Sequence, residues 1–275
     1  MSEKKAKTAQ SAKDSISLNK FNKKSIKGAR FTLMISSAKG GVGKSTFAVN
    51  LAFAFQNLGM KVGILDADIY GPSLPKLLNL TGKPETKDGK FIIPMEKYGA
   101  QCISMGLLVS ETTPMMWRGP MVISAIKTLT EKVLWNDLDL IVIDMPPGTG
   151  DTQLTFAQSV KIDGSIIIST PQSLALNDVR RGIQMFDKTG IDIIGLVDNM
   201  CFFEGDDGKK YNIFGEAGVE ETAKEFGKDF LGKIPLHTDL RIASDKGRPL
   251  SLNADHKISK IFNDLAKRIK KTNFE

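Results

Sequence analysis

The sequence predicts an α/β fold, in which a mostly parallel β-sheet is covered by helices on both faces. Beyond residue 30, short segments that are apolar at most consecutive positions alternate with segments that have the apolar spacing of helices. Continuously apolar strands are typical of parallel sheets, because such sheets are buried on both faces. A glycine-rich segment also joins the first apolar segment, residues 31–35, to the first helical one, residues 47–58. Together these observations favour repeated strand–helix units around one sheet.

The predicted elements follow one another along the chain. We predict strands at residues 31–35, 61–65, 101–109, 138–143, 165–169, 191–197 and 230–234. We predict helices at residues 47–58, 72–80, 122–134, 174–186, 218–226 and 258–269. Extended segments on both sides of residues 87–90 predict a hairpin turn there. Ligands bind such sheets at the carboxyl ends of the strands, so the functional site is expected at that edge.

The composition is that of an ordinary globular protein. The chain has 275 residues, of which 41% are hydrophobic and 25% are charged, both within the usual range. Its apolar segments fall short of the ~20 residues that span a bilayer, and residues 1–30 lack the apolar segment of a secretory signal. Two cysteines, Cys102 and Cys201, provide no disulfide framework. We therefore predict a cytoplasmic protein that does not insert stably into membranes.

The net charge of +7 is concentrated at the amino terminus. Residues 1–30 contain eight lysines and one arginine against two acidic residues, so residues 31–275 are neutral overall. This lysine-rich, apolar-poor segment is predicted to be a disordered basic tail, followed by a single folded domain over residues 31–275. Such a tail attracts nucleic acid or anionic membranes weakly. We favour a solubilising role for it, and nucleic acid is not an expected partner.

The glycine-rich segment has the spacing of a phosphate-binding loop. The usual pattern is G-x-x-x-x-G-K-[ST], and here Ala38 replaces the first glycine while Gly43, Lys44 and Ser45 complete the pattern. Backbone N–H groups of such a loop, and of the helix that follows it, bind phosphate. Lys44 is expected to reach the β- and γ-phosphates of ATP, and the Ser45 hydroxyl to bind Mg²⁺. The residues predicted to bind the nucleotide at this loop are Ala38, Lys39, Gly40, Gly41, Val42, Gly43, Lys44, Ser45 and Thr46.

Three aspartates that follow predicted strands are the candidate metal and catalytic carboxylates. Asp66 and Asp68 follow the second predicted strand, and Asp144 follows the fourth. An apolar strand that ends in aspartate is the Walker B arrangement, in which the carboxylate holds a Mg²⁺-bound water beside the phosphates. We predict Asp66 and Asp144 as Mg²⁺ ligands together with Ser45, and Asp68 as the residue that orients the attacking water. The turn-rich loop at residues 145–151 is suited to couple loss of the γ-phosphate to movement.

The phosphate loop resembles the deviant Walker A motif of the SIMIBI class of P-loop NTPases, a Rossmann-like group that includes MinD and ParA. The resemblance rests on an additional lysine, Lys39, which opens the run at residues 39–46. It implies that Lys39 reaches across a homodimer interface to the nucleotide of the partner. Lys39 is therefore assigned, with Lys44, Asp68 and Asp144, to the predicted catalytic residues of a slow ATPase.

Six further segments resemble motifs of the Mrp/ApbC family of iron–sulfur cluster carrier ATPases. They are residues 65–75, 115–121, 142–151, 170–172, 198–200 and 213–215. The resemblance implies a homodimer that binds and hydrolyses ATP and delivers an iron–sulfur cluster, of the 4Fe-4S type, to apo-proteins. Scaffold proteins are further implied partners. It also implies that Asn199 hydrogen-bonds the adenine.

One segment departs from the family pattern, at the place where two cysteines are expected. The pattern has Cys-x-x-Cys after a short spacer, whereas this chain has Gly205 and Gly208 there. With the pair present, two protomers supply four thiolates to one bridging cluster. Cys201, four residues earlier, is the remaining candidate cluster ligand, while Cys102 lies mid-strand among apolar residues, where cysteines are usually inert. Residues 206–208 are typical of a hairpin turn.

Two alternative functions stay open at this point. One is a ParA/MinD-like dimeric switch that acts on DNA or a membrane, and the other is a regulatory ATPase without a cluster. The last predicted helix, residues 258–269, bears basic residues beside an apolar face, as membrane-surface helices do. A helix docked on the sheet has the same pattern, and we favour that interpretation. His237 and His256 are assigned no role.

Overall fold

The computed structural model describes residues 23–108, 119–216 and 218–274, which form a nine-stranded sheet, a separate two-stranded hairpin and the helices around them. The strands are β1 (Ala29–Ser36), β2 (Val62–Asp66), β3 (Thr86–Lys87), β4 (Phe91–Ile92), β5 (Met95–Lys97), β6 (Ala100–Ser104), β7 (Leu138–Asp144), β8 (Gly164–Ser169), β9 (Ile193–Glu204), β10 (Lys210–Tyr211) and β11 (Phe230–Leu236). The helices are α1 (Lys44–Asn57), α2 (Leu74–Leu78), α3 (Met105–Leu108), α4 (Gly119–Glu131), α5 (Asp151–Ser159), α6 (Ser173–Thr189), α7 (Gly218–Glu225), α8 (Thr238–Asp245) and α9 (Lys257–Asn273), with a 3₁₀-helix at Leu250–Leu252. Hairpin turns join β3 to β4 and β9 to β10, as predicted for residues 87–90 and 206–208.

The large sheet has the strand order β10-β9-β8-β1-β7-β2-β6-β5, with β11 also paired to β9. Its pairings are parallel except for β5 with β6 and β9 with β10. In this register Asp144 of β7 lies beside both Ile35 of β1 and Asp66 of β2. The ends of these three strands therefore meet at the carboxyl edge. The predicted mostly parallel α/β sheet is confirmed.

Two apolar cores cover the two faces of the sheet. Because side chains alternate along a strand, Leu33 and Met34 of β1 enter opposite cores. The first core is completed by α1 and α9, and the second by α4, α5, α6 and α7. Burial of both faces explains why the strands are apolar at consecutive positions.

The last helix, α9, is docked on the sheet, as its sequence favours. Ile258, Phe262, Leu265 and Ile269 are all buried in the core shared with α1. Their burial removes from the surface the apolar face that a membrane-surface helix needs. In the described parts of the chain, no helix is both long and apolar enough to cross a bilayer.

The folded region begins earlier than the boundary predicted after residue 30. Lys24 forms a parallel bridge with Val160, and Ile26 is buried in the second core. The sequence does not predict the burial of Ile26, because the lysines around it give the segment the composition of a solvated tail. The remainder of the predicted tail, residues 1–22, lies outside the described residues.

Several elements differ from their predicted extent. The strand predicted at residues 101–109 ends at Ser104, whose hydroxyl accepts a 3.0 Å hydrogen bond from the N–H of Gly106 as the chain enters α3. β9 continues beyond its predicted end to Glu204. The sequence patterns do not predict β5, α5 or α8, and α8 buries no side chain that would give it a helical apolar spacing. Residues 115–118, which belong to one of the motif segments, lie outside the described residues.

Candidate nucleotide-binding site

The loop between β1 and α1 is shaped to receive an anion. Gly41 and Gly43 both have a φ of 80°, a left-handed conformation that costs energy for other residues. A side chain at Gly43 is also excluded sterically, since a Cβ there would lie 2.5 Å from Nδ2 of Asn199. α1 begins at Lys44 without a side-chain cap or an acidic residue in its first turn. Its first N–H groups and its positive dipole end are therefore available to a ligand such as phosphate.

Lys44 and Asp144 form a buried ion pair beside this loop. The Lys44 side chain is 6% exposed and that of Asp144 4%, and Nζ of Lys44 hydrogen-bonds Oδ1 of Asp144. The same Nζ lies 3.4 Å from the Ser45 hydroxyl. Burial raises the pKa of Asp144, while the charge of Lys44 and hydrogen bonds from Lys44 and Ser45 oppose that rise. The fold thus brings together the predicted lysine, hydroxyl and Walker B carboxylate.

The carboxylate of Asp66 is held by hydrogen bonds from four donors. It is fully buried, and Oδ2 accepts hydrogen bonds from the Ser104 hydroxyl at 2.9 Å and from the N–H groups of Ser73 and Leu74, each at 3.0 Å. Oδ1 accepts a further bond from the N–H of Asp68 at 3.1 Å. Burial raises the pKa of Asp66 to about 7. Both carboxylate oxygens of Asp66 therefore help to hold the segment between β2 and α2, and its assignment as a Mg²⁺ ligand stays a prediction.

Asp68, the predicted water-orienting residue, lies at the wall of a cavity beside the loop, which we call the phosphate cavity. This phosphate cavity has a volume of about 250 Å³ and is lined by the loop together with Asp68, Ser73 and Pro147. Oδ1 of Asp68 accepts hydrogen bonds from the N–H groups of Tyr70 and Gly71, at 3.3 and 3.1 Å. One carboxylate oxygen is thereby fixed by the backbone. No described residue donates a hydrogen bond to the other oxygen, which leaves it available to a water molecule.

A second cavity, of about 370 Å³, adjoins the phosphate cavity and contains Asn199. The two cavities share Gly43, Thr46, Ser73 and Leu77. Nδ2 of Asn199 donates a 2.7 Å hydrogen bond to the carbonyl of Val42, so β9 is tied directly to the phosphate loop. The structure thus places Asn199, the predicted adenine contact, next to the predicted phosphate site.

The predicted loop residues divide into two groups. Gly40, Gly41, Gly43, Lys44, Ser45 and Thr46 line the phosphate cavity. Ala38, Lys39 and Val42 do not line it, and Val42 is instead buried in the core beside α1. Lys39 is half-buried, and it has no hydrogen bond or ion pair to the described residues.

Gln153 of α5 is a site residue that sequence reasoning missed. Its side chain is buried, with Nε2 donating to the carbonyl of Pro146 and Oε1 accepting from the Ser36 hydroxyl at 3.4 Å. Separately, the N–H of Gly148 donates a 2.8 Å hydrogen bond to the carbonyl of Ser37. The loop after β7 is therefore attached to the end of β1 at two places. No local pattern identifies Gln153, because its partner on β1 is distant in sequence.

Both cysteines are buried in the sheet. Cys102 in β6 is 0% exposed, and burial raises the pKa of its thiol to about 12. Cys201 in β9 is 6% exposed, its thiol donates to the carbonyl of Ile234 at 3.3 Å, and burial raises its pKa to about 11. Cluster ligands are deprotonated and accessible thiols. The position of Cys102 fits the predicted inert residue, whereas that of Cys201 does not support the predicted cluster ligand.

Comparisons with known proteins identify the family of the chain. Residues 28–270 match a family described as ParA, NUBPL iron-transfer P-loop NTPase. The iron–sulfur cluster transfer protein NUBPL of Mus musculus is 48% identical over 230 residues, which cover 82% of this chain and 72% of the mouse protein. The iron–sulfur cluster carrier protein of Escherichia coli K12 is 43% identical over 251 residues, which cover 90% of this chain and 68% of the bacterial one.

Solved structures show the same fold. A nucleotide-binding protein from Archaeoglobus fulgidus in complex with ADP has a TM-score of 0.71 and 37% identity, covering 80% of this chain and 88% of that protein. The septum site-determining protein MinD of Pyrococcus horikoshii, complexed with Mg-ADP, has a TM-score of 0.64 at 20% identity, covering 88% of this chain and 96% of that protein. The MinD likeness supports the fold alone. From the family match and the identities of its relatives, the chain belongs to the family of NUBPL iron-transfer P-loop NTPases.

Proposed function

We propose that this chain binds ATP with Mg²⁺ at the carboxyl edge of its sheet, hydrolyses it slowly, and uses this cycle to deliver iron–sulfur clusters to apo-proteins. The observation that carries the nucleotide half is the buried Lys44–Asp144 pair beside a loop whose helix N-terminus has no cap. The names of the mouse and Escherichia coli relatives support the delivery half.

Each residue of the site has a definite task in this proposal. Lys44 turns from Asp144 to the β- and γ-phosphates, which also accept hydrogen bonds from the loop N–H groups. The Ser45 hydroxyl and the Asp144 carboxylate are neighbouring oxygen donors, a set that fits Mg²⁺. When bound there, Mg²⁺ supplies positive charge that stabilises the phosphates during transfer. Asp68 orients the attacking water through the oxygen that no described residue occupies.

Asn199 recognises the adenine base in this proposal. Because its Nδ2 is already used by the Val42 carbonyl, its Oδ1 is the atom that accepts a hydrogen bond from the adenine amino group. This division fixes the orientation of the side-chain amide before the nucleotide arrives.

The active form is a homodimer in this proposal. Lys39 lies outside the phosphate cavity of its own chain and has no partner in the described residues, which supports a contact with the nucleotide of a second copy. Apo-proteins and scaffold proteins are the proposed cluster partners. The relatives include bacterial proteins and a mitochondrial protein of Arabidopsis thaliana, so a cytoplasmic location stays a prediction.

Two lysine variants test the nucleotide half. Lys44→Ala is expected to lose ATP binding, measured by titration calorimetry, because it removes the charge that meets the phosphates. Lys39→Ala is the matched control, and it is expected to bind ATP normally while losing hydrolysis and ATP-dependent dimerisation. Normal binding and turnover in Lys44→Ala would show that the loop is not the nucleotide site.

A further inference from the structure

We infer, resting on the proposed role in cluster delivery, that this chain does not hold the iron–sulfur cluster on its own thiols. The two cysteines of the chain are the starting point. Neither presents an accessible thiol, since Cys102 is enclosed in the core and Cys201 is hydrogen-bonded to the Ile234 carbonyl.

The two thiols are also too far apart to bind one cluster. Cys102 lies on β6 and Cys201 on β9, and β8, β1, β7 and β2 stand between these strands in the sheet. Five strand spacings separate them across the sheet, or about 24 Å at roughly 4.8 Å each. A single cluster is only a few ångströms wide, so one chain cannot use both. A second copy of this chain adds only the same two buried thiols.

The hairpin between β9 and β10 does not provide a substitute site. Its turn is closed by hydrogen bonds from the N–H of Gly205 to Lys209 and from the N–H of Gly208 to Gly205, both at 2.9 Å. The Asp207 carboxylate accepts from the N–H of Lys209 at 3.0 Å and from the Tyr211 hydroxyl at 2.9 Å. The turn is therefore complete without a ligand.

The backbone of this turn is also built for glycine. A Cβ at Gly205 would lie 2.9 Å from both Asp207 Oδ1 and Tyr211 Cε2, and Gly208 has a φ of 73°. A side chain at position 205 would therefore be too close to Asp207 and Tyr211, and one at position 208 would strain the backbone. This turn thus differs from a loop that bears Cys-x-x-Cys both in its side chains and in its backbone conformation.

The described residues contain one further group of three potential metal ligands, but its atoms already take part in hydrogen bonds within the chain. His237, Asp239 and His256 have ligand atoms within 4.8 Å of one another. Nδ1 of each histidine accepts a 3.2 Å hydrogen bond from a backbone N–H at the start of a helix, and Nε2 of His256 lies 3.1 Å from the Asp239 carboxylate. Two helix N-termini meet here, and their positive ends oppose a bound cation.

The first test is anaerobic reconstitution of the full chain with ferrous iron and sulfide. Wild type, Cys201→Ser and His256→Asn are compared by iron and acid-labile sulfide per chain after gel filtration. Serine keeps a donor for the Ile234 carbonyl and asparagine keeps a helix cap, so all three proteins should fold. We expect equal trace amounts in all three. A stoichiometric cluster in the wild type, whether lost in one variant or kept in both, overturns the inference.

The second test follows cluster transfer from a cluster-loaded scaffold protein to an apo-ferredoxin in the presence of ATP. We expect equal acceleration by wild type and Cys201→Ser, and loss of acceleration with Lys44→Ala. Loss of acceleration in Cys201→Ser overturns the inference. If the wild type itself gives no acceleration although it binds ATP, the proposed function fails, and the reconstitution result still decides whether this chain holds a cluster.

Discussion

The phosphate loop and the β9–β10 hairpin lie at the same edge of the sheet, yet they differ in how their polar groups are satisfied. The loop leaves the first N–H groups of α1 without a cap and places the Lys44–Asp144 pair beside them. The hairpin closes its own backbone bonds and uses Asp207 to hold its turn. The phosphate loop therefore has polar groups that are available to a charged ligand, whereas the polar groups of the hairpin turn are already hydrogen-bonded within the chain. Four substitutions test this difference, from the largest expected effect to the smallest.

Replacing Gly43 in the phosphate loop should have the largest effect on stability and nucleotide binding. In Gly43→Ala, the left-handed backbone and the contact with Asn199 are expected to lower the free energy of unfolding by about 3 kcal/mol, and ADP binding should be lost. Urea unfolding and titration calorimetry measure the two effects. Gly41→Ala is the control, because Gly41 has the same φ of 80° but no atom within 4 Å of the position that an alanine Cβ would take, and about 1 kcal/mol is expected. Equal losses would disprove the steric explanation.

Asp66 should make stability depend on pH. Its pKa is 3.8 in the unfolded reference and about 7 in the fold, so between these values the folded protein retains a proton that the unfolded chain has lost. The free energy of unfolding should therefore fall as pH rises through this window, by up to about 1.4 kcal/mol per pH unit from this group. Asp66→Asn should flatten the dependence in urea titrations from pH 4 to pH 7. An unchanged slope in the variant would mean that other groups cause it.

Gln153 should act as a positioning residue for the loop after β7. Gln153→Met keeps the volume but leaves the Pro146 carbonyl without its donor, which should cost about 1 kcal/mol of stability. We expect kcat for ATP hydrolysis to fall while ADP affinity stays near the wild-type value, because the residue touches the loop and not the nucleotide. A purely structural role would lower stability and leave kcat unchanged.

Replacing Asp207 should change stability least. Its contribution to stability should increase as pH rises, whereas that of Asp66 decreases. Hydrogen bonds from the Lys209 N–H and the Tyr211 hydroxyl lower the pKa of Asp207. Its contribution to stability is therefore present above the unfolded pKa and is lost as pH falls through the lower folded value. Asp207→Asn should shift the urea midpoint slightly at neutral pH and not at strongly acidic pH, with ADP binding unaffected. Reduced ADP binding would show that the hairpin is coupled to the phosphate site.

Sequence reasoning predicts proximity where a local pattern has one structural meaning. The spacing of Gly43, Lys44 and Ser45 predicts a phosphate loop, and the apolar strand before Asp144 predicts a carboxylate beside it, where the structure has the Lys44–Asp144 pair. The same reasoning does not predict the hydrogen bonds of Asp66, because an aspartate at a strand end gives the same sequence pattern whether it binds a metal or holds the backbone. Its hydrogen-bond donors come from the start of α2 and from the end of β6, and only the folded chain brings them to it.

Residues that act across long sequence separations are missed for a related reason. Gln153 of α5 meets Ser36 at the end of β1, 117 residues earlier in the chain, and no periodicity records that contact. The extension of β9 is missed because its last residues mix polar and aromatic side chains, and Met200 within it has a φ of 56°. The early start of the fold is missed because the residues that form it, Lys24 in its bridge to Val160 and the buried Ile26, lie in a lysine-rich segment.

The buried Lys44–Asp144 pair has a thermodynamic consequence for the order and strength of ligand binding. When Lys44 turns towards a phosphate, Asp144 loses its counter-charge in a place that water does not reach, and an unpaired buried carboxylate is strongly unfavourable. Nucleotide alone should therefore bind weakly, and a divalent cation alone should meet a site already occupied by the lysine. The affinities of the two ligands are expected to be linked, each increasing the other by the same factor. The resting ion pair would thus make the chain respond to the magnesium–nucleotide complex as a unit.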